Sequence, residues 1–139
     1  VGEHDGYHRL KDPVTHRRTL ELDGKERRLI VRDDIFTQDK HEIIVMFHLA
    51  EHCVVNPIGE NRYLVNVGSV TIMIELDSCL QIELLNGSND PICGWTSRNY
   101  HIKQASTTLI GRCFCEGNIS LVCKFNIGEL KHAYTRTQD

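Results

Sequence analysis

The stretch VTHRRTLELDGKERRLIVRDDI, residues 14–35, carries the clearest fold signal in the chain. Two extended runs flank the dipeptide Asp23-Gly24. Asp-Gly between such runs is a strong short-range hairpin signal, because both turn residues accept positive φ. We therefore predict strands over 14–22 and 27–35, with a two-residue turn at Asp23-Gly24.

Apolar residues alternate with polar ones on the C-terminal side of this hairpin, which predicts further strands. These strands cover residues 41–50, 62–67, 69–76, 80–85, 106–115 and 119–127. The run 41–50 is apolar on both faces, which is typical of a central strand covered on both sides. We expect a loop at 57–61, a last hairpin joining 106–115 to 119–127, and no strand from Gly128 onward.

No stretch has a helical period, and turn signals are frequent between the short predicted strands. The predicted fold is therefore all-β, an antiparallel β-sandwich. A length of 139 residues corresponds to one domain, so we predict a single domain over residues 1–139. The chain begins at Val1 rather than at a methionine, and we expect it to be either a processed product or a piece excised from a larger protein.

Charge and hydropathy exclude two classes of partner. The net charge of −3 leaves no basic footprint for nucleic acid. No run of about 18 apolar residues is present, so no membrane span is predicted.

The cysteines are more numerous than in an average chain. They are Cys53, Cys79, Cys93, Cys113, Cys115 and Cys123. They include no Cys-x-x-Cys pair and so match no zinc pattern, and a chain of this size does not need disulfides for stability. We predict that most are unpaired thiols.

Two histidine pairs, His4/His8 and His48/His52, have the four-residue spacing that binds zinc on a helix. Both lie in sequence that reads as extended, where four residues span about 13 Å. Neither pair can therefore chelate one ion alone, and we predict no metal and no cofactor. A metal site assembled from histidines on different strands remains an alternative.

The predicted hairpin places Asp33 diagonally across from His16, on the face that also carries Arg18. One interpretation is a histidine oriented by a carboxylate for acid–base work. The other is a polar cluster that ties the strands together, because buried charges must be paired. We favour the second interpretation.

Trp95 is the single tryptophan, and it lies close to Ser97 and Tyr100 beside a loop rich in Gly, Asn and Asp. Its ring could stack on a sugar or a nucleobase, or it could anchor the core or contact another domain. No nucleophile elbow, phosphate-cradling glycine loop or paired-carboxylate motif is present, and we assign no catalytic residue.

Several motifs occur in an order that resembles the C-terminal domain of the heparinase II/III-like polysaccharide lyases. They are Glu3-His4-Asp5-Gly6-Tyr7-His8-Arg9-Leu10, Val14-Thr15-His16-Arg17-Arg18, Leu29-Ile30-Val31-Arg32-Asp33-Asp34, Phe47-His48-Leu49-Ala50, and Gly94-Trp95-Thr96-Ser97 with Tyr100. The resemblance extends from residue 3 to about residue 110.

The resemblance implies a periplasmic or secreted bacterial enzyme with an N-terminal α/α toroid and a C-terminal β-sandwich. The sandwich packs on the toroid and helps to wall the substrate cleft. Such lyases cleave uronic-acid-containing polysaccharides, for example glycosaminoglycans or alginate, by β-elimination. The implied partners of this chain are the toroid of the same polypeptide and an acidic polysaccharide.

In this family a tyrosine and one histidine of the catalytic machinery come from the toroid, and a further histidine comes from a His-x-His motif early in the β region. The sequence contains neither the toroid nor a His-x-His motif. We therefore expect this fragment to be inactive by itself. Five residues are predicted to lie at a substrate or domain interface, namely His4, Tyr7, His16, Trp95 and Tyr100. The alternative is a free-standing carbohydrate- or protein-binding β module.

Overall fold

The computed structural model describes residues 1–129, and every regular element in this part is a β-strand. The strands are β1 (Gly2–Tyr7), β2 (Val14–Asp23), β3 (Arg28–Phe36), β4 (Lys40–His48), β5 (Val54–Gly59), β6 (Arg62–Val67), β7 (Val70–Glu75), β8 (Gln81–Asn86), β9 (Ser88–Asn89), β10 (Ile92–Cys93), β11 (Trp95–Thr96), β12 (Gln104–Ala105), β13 (Thr107–Glu116) and β14 (Ile119–Glu129). They pair in antiparallel fashion, which confirms the all-β sandwich. Within the described residues, no helix is long and apolar enough to cross a membrane.

The larger sheet has seven strands in the order β1-β2-β3-β14-β7-β6-β5. The hairpin of β2 and β3 is confirmed, but its predicted two-residue turn is wrong. Asp23 pairs with Arg28 and leaves a four-residue loop, 24–27. The Asp23 carboxylate accepts hydrogen bonds from two loop amides, and the positive φ, 51°, belongs to Arg27. The hairpin is thus closed by a longer loop, which the Asp23 side chain stabilises, and not by a tight two-residue turn.

The smaller sheet has three strands in the order β4-β13-β8. The central position expected for 41–50 is wrong, because β4 is an edge strand. Its residues Ile44 and Met46 are exposed on the outer side of the sheet. Apolar residues on both faces of a strand therefore indicate that both faces can be covered. They do not indicate whether other strands pair with both of its edges.

The hairpin expected from 106–115 and 119–127 is also wrong. β13 pairs with β4 and β8, whereas β14 pairs with β3 and β7. The turn at Gly117, with φ of 79°, carries the chain from one sheet to the other. Leu109 of β13 and Leu121 of β14 thereby enter the same core from opposite layers.

Two edge strands were not predicted. β1 has no buried residue and therefore no apolar alternation. β5 covers part of the expected loop 57–61 and includes Pro57, which an edge strand tolerates because its outward amide needs no ladder partner. The strand β14 continues through Gly128 to Glu129, and the rest of the expected strand-free tail lies outside the described residues.

The segment between β8 and β13 lies on the outer side of the smaller sheet and pairs with itself through β9–β10 and β11–β12. Gly94 holds its two ends together, because its carbonyl accepts hydrogen bonds from the amides of Gly87 and Ser106, both at 2.8 Å. Its φ is 74°, and a Cβ here would lie 2.6 Å from the carbonyl oxygen of Leu85. Only glycine fits this close backbone approach.

Candidate functional site

A charged cluster lies on the core-facing side of the β2–β3 hairpin. Register places Arg18 directly opposite Asp33 and His16 opposite Ile35. The Asp33 carboxylate, which is only 2% exposed, accepts hydrogen bonds from Arg18 Nε at 2.6 Å, from an Arg18 terminal nitrogen at 2.8 Å and from His16 Nε2 at 2.7 Å. Burial disfavours the ionised carboxylate, yet the hydrogen bonds from Arg18 and His16 hold the pKa of Asp33 below its ordinary value.

The cluster extends to β1 through a chain of hydrogen bonds. The amide of Gly6 donates to His4 Nδ1 at 3.2 Å, so the proton of the His4 ring lies on Nε2. That nitrogen donates to His16 Nδ1 over a longer 3.4 Å, which leaves the His16 proton on Nε2, facing Asp33. Each imidazole therefore has one donor and one acceptor nitrogen, and both are used within the protein. No ring nitrogen is left to act as a base on a substrate in this arrangement.

A cleft of about 390 Å³ opens beside this cluster. Val14, His16 and Arg18 line one side of it, and six consecutive residues of β4, 41–46, line the other. Tyr7 also lines the cleft, and its ring centroid is 5.3 Å from that of His4. The cleft thus runs along the unpaired edge of β4, and both polar and apolar side chains line it.

His41, which lines this cleft, is bonded to Asp12, a residue that no sequence pattern indicated. One oxygen of its carboxylate accepts hydrogen bonds from His41 Nε2 at 2.8 Å, from the amides of Gln38 and Asp39 at 3.1 and 2.9 Å, and from the Thr37 hydroxyl. The Thr37 bond is the largest of the effects that place the pKa of Asp12 well below its ordinary range. Asp12 and His41 are 29 residues apart, so no local spacing could have indicated their contact.

Trp95 lies in a second groove of about 360 Å³, on the outer side of the smaller sheet. Its indole nitrogen donates to the Ser88 carbonyl at 2.7 Å, and the Lys103 ammonium lies 3.6 Å from the ring centroid. The groove is also lined by Arg112 and by Met46, which lines the first cleft as well. Trp95 therefore anchors its own segment and still contributes to an open surface.

The five residues predicted for a substrate or domain interface fall in three places. The His4 ring contacts the rings of both Tyr7 and His16, and of these three residues Tyr7 and His16 line the first cleft. Trp95 lies in the second groove, which meets the first cleft at Met46. Tyr100 is 90% exposed and packs against the ring of His101.

The histidine pairs singled out by their spacing have separate partners. His8 bonds to the Thr15 hydroxyl at 2.7 Å, while His4 bonds to His16. His48 bonds to the Thr108 hydroxyl at 3.0 Å. Among residues 1–129, no group of three or more His, Cys, Asp or Glu side chains is placed to hold a metal ion.

The sequence of residues 1–118 matches the family described as heparinase II/III-like, C-terminal. The chain belongs to this family. No curated protein matches the sequence of this heparinase II/III-like domain.

Solved structures also resemble this heparinase II/III-like domain. The heparan sulfate lyase HepC from Pedobacter heparinus superposes with a TM-score of 0.68 at 14% identity, and a mutant of the same enzyme with 0.67 at 15%. Each comparison covers 91% of this chain but 20% of the lyase chain. The likeness establishes the shared fold, and this domain spans about one fifth of the length of those proteins.

Proposed function

We propose that this chain, over residues 1–139, is a single C-terminal β-sandwich domain of a larger heparinase II/III-like polysaccharide lyase. In the full-length bacterial enzyme, periplasmic or secreted, it packs on an N-terminal α/α toroid and forms one wall of the substrate cleft. The reaction of the whole enzyme is β-elimination on a uronic-acid-containing polysaccharide such as a glycosaminoglycan or alginate. This domain supplies no catalytic residue.

The main observation that supports a non-catalytic role is the chain of hydrogen bonds through His4, His16 and Asp33. β-Elimination needs a base for the proton next to the carboxyl group and an acid for the leaving oxygen. Both imidazoles already use both of their ring nitrogens, and Arg18 is engaged by two bonds to Asp33. The cluster is best suited to hold β1, β2 and β3 together, because every buried charge in it is paired.

The outer side of the smaller sheet supports a role in domain packing. Ile44, Met46 and Phe114 are exposed there, and Phe114 is 67% exposed. Large apolar side chains exposed side by side mark interaction surfaces on soluble domains. The two clefts share Met46 as a lining residue, so a partner that covers Met46 borders both of them. The five predicted interface residues remain candidates for this contact.

Activity measurements on two proteins test the proposal. The present chain and the full-length protein from the same reading frame are incubated with heparan sulfate and with alginate, and unsaturated uronates are followed by ultraviolet absorbance. We expect product only from the full-length protein. Product formed by the purified present chain contradicts the non-catalytic role.

A matched pair of variants tests the packing surface in the full-length protein. Met46→Lys places a charge on the outer side of the smaller sheet, whereas Val54→Lys places one on the exposed edge strand β5. We expect Met46→Lys to lower lyase activity and the unfolding temperature of the full-length protein, and Val54→Lys to change neither. Equal behaviour of the two variants contradicts packing through this surface.

The second groove favours one further candidate, a free-standing carbohydrate-binding module. Trp95, His48 and Arg112 line this groove, and an aromatic ring beside a cation suits an acidic sugar. Titration of the present chain and of its Trp95→Ala variant with heparan sulfate, followed by isothermal titration calorimetry, tests this function. Two results together would establish a carbohydrate-binding module instead of a lyase domain. The chain binds heparan sulfate saturably and Trp95→Ala abolishes that binding, and the reading frame encodes no toroid.

A further inference from the structure

The core-facing side of the larger sheet is left uncovered at its β1–β2 end. Leu20 lies opposite Val31 in register, and Val31 is buried in the core. Leu20 and Leu22, which share that face, are nevertheless 59% and 77% exposed. The reason is the strand count, because three strands of the smaller sheet cannot cover seven strands of the larger one.

The smaller sheet ends next to this uncovered region. β4 is its edge strand, and within residues 1–129 only β13 pairs with it. Successive side chains of a strand point to opposite faces. A cleft lined by six consecutive residues, 41–46, is therefore lined by the backbone edge itself. An unpaired edge presents a row of amide and carbonyl groups ready to pair with another strand.

The cleft and the uncovered face form one trough. His16 and Arg18 line the cleft along β4, and they also line a shallow depression that includes Leu20. The trough thus has apolar ends and a polar centre, in which the charge of Arg18 is neutralised by Asp33. An extended strand with apolar side chains on one face matches this pattern better than a charged ligand does.

We propose that a β-strand from the part of the longer polypeptide that precedes Val1 lies in this trough. It pairs with residues 42–46 of β4 as a fourth strand of the smaller sheet, and its inward side chains cover Leu20 and Leu22. This inference rests on the proposed function, because it requires a longer polypeptide.

Two observations favour this occupant. The matched region makes up only 20% of the chain of a solved lyase of the same fold, so other segments of polypeptide are available in proteins of this kind. Val1 and Gly2 line the trough together with His16, Arg18 and Leu20. A segment that precedes Val1 therefore leaves the sandwich beside the trough and needs only a short connection to turn back into it.

Hydrogen exchange of backbone amides tests the pairing. The present chain is compared with the same chain extended at its N-terminus by the residues that precede Val1 in its reading frame. We expect alternate amides within 42–46 to exchange at least about tenfold more slowly in the extended protein, because they gain hydrogen-bond partners. The opposite edge of the larger sheet, β5, is the control, and its amides within 54–59 should exchange equally in both proteins.

A pair of variants tests the covering of the apolar face. Leu22→Lys should leave the unfolding midpoint of the present chain unchanged, because the side chain is exposed there, and should lower that of the extended protein. Ile58→Lys on β5 is the matched control and should affect neither protein.

Three outcomes overturn the proposal. They are unchanged exchange at 42–46 in the extended protein, equal sensitivity of both proteins to Leu22→Lys, and slow exchange at 42–46 in the short chain that depends on its concentration. The last outcome assigns the trough to a second copy of the chain. Lyase activity of the full-length protein together with fast exchange at 42–46 refutes this inference and leaves the proposed function standing.

Discussion

Replacing the buried Asp33 by asparagine measures how strongly the polar cluster holds the β2–β3 hairpin. The amide keeps the size of the side chain but removes its charge and one of its two strong acceptors. Three hydrogen bonds end on this carboxylate, and a hydrogen bond to a charged group contributes roughly 1.5–3 kcal/mol. Arg18 and His16 are 42% and 23% exposed, so water replaces part of what they lose. We expect the free energy of unfolding at pH 7 to fall by about 2–4 kcal/mol.

The same substitution has a defined dependence on pH. The folded-state pKa of Asp33 lies below the ordinary value of about 3.9. Its stabilisation is therefore fully present above that ordinary pKa and is lost as pH falls through the folded-state pKa. The difference between the wild type and Asp33→Asn should shrink below about pH 4.

Urea denaturation, followed by Trp95 fluorescence and far-ultraviolet circular dichroism, measures both effects. Asp34→Asn is the control, because Asp34 is the next residue on β3 and faces the opposite side of the sheet. We expect it to change the free energy of unfolding by less than about 0.5 kcal/mol. Equal effects of the two substitutions at pH 7, or a pH-independent difference between Asp33→Asn and the wild type, would refute the reasoning.

Four further predictions concern packing and thiols. Gly94→Ala should destabilise the domain by more than about 3 kcal/mol, because it adds a steric clash to backbone strain of about 1–2 kcal/mol. Gly68→Ala, which has a similar positive φ but open space around it, should cost only the backbone strain, and denaturation of both variants would show whether this difference exists. Leu121→Ala, in the centre of the core, should lower the free energy of unfolding by about 2–5 kcal/mol, and an unchanged denaturation midpoint would contradict its burial. Partial desolvation of the thiol group, together with the nearby Asp77, raises the pKa of Cys79 to about 12, so iodoacetamide should alkylate Cys79 of the folded protein slowly at pH 8, although the residue as a whole is exposed. Mass spectrometry after alkylation in denaturant without reductant should find all six thiols modified, and an intact disulfide would disprove the unpaired state.

Local patterns in the sequence were sufficient for the fold class and for one contact in the site. Alternation of apolar and polar residues predicted β2, β3, β6, β7 and β14 close to their observed bounds, because burial on one face imposes a two-residue period. The contact between His16 and Asp33 was also predicted, although the assumed turn was wrong. The observed register differs from the predicted one by four residues, and an even shift keeps every side chain on its original face.

Only the tertiary structure decided which strands become neighbours and where the sandwich stays open. β13 and β14 are separated by a short turn, yet they enter different sheets, because both insert apolar side chains into the core between the layers. The edge position of β4 follows from the order in which the strands pair, and the exposure of Leu20 and Leu22 follows from the unequal numbers of strands in the two sheets. No local pattern records either of these. The contacts of His4 with His16 and of Asp12 with His41 join separate strands and loops, and such contacts exist only once the chain has folded. Sequence periodicity determines which side of a strand is buried, whereas the assembly of the layers determines which edges and faces remain available to a partner.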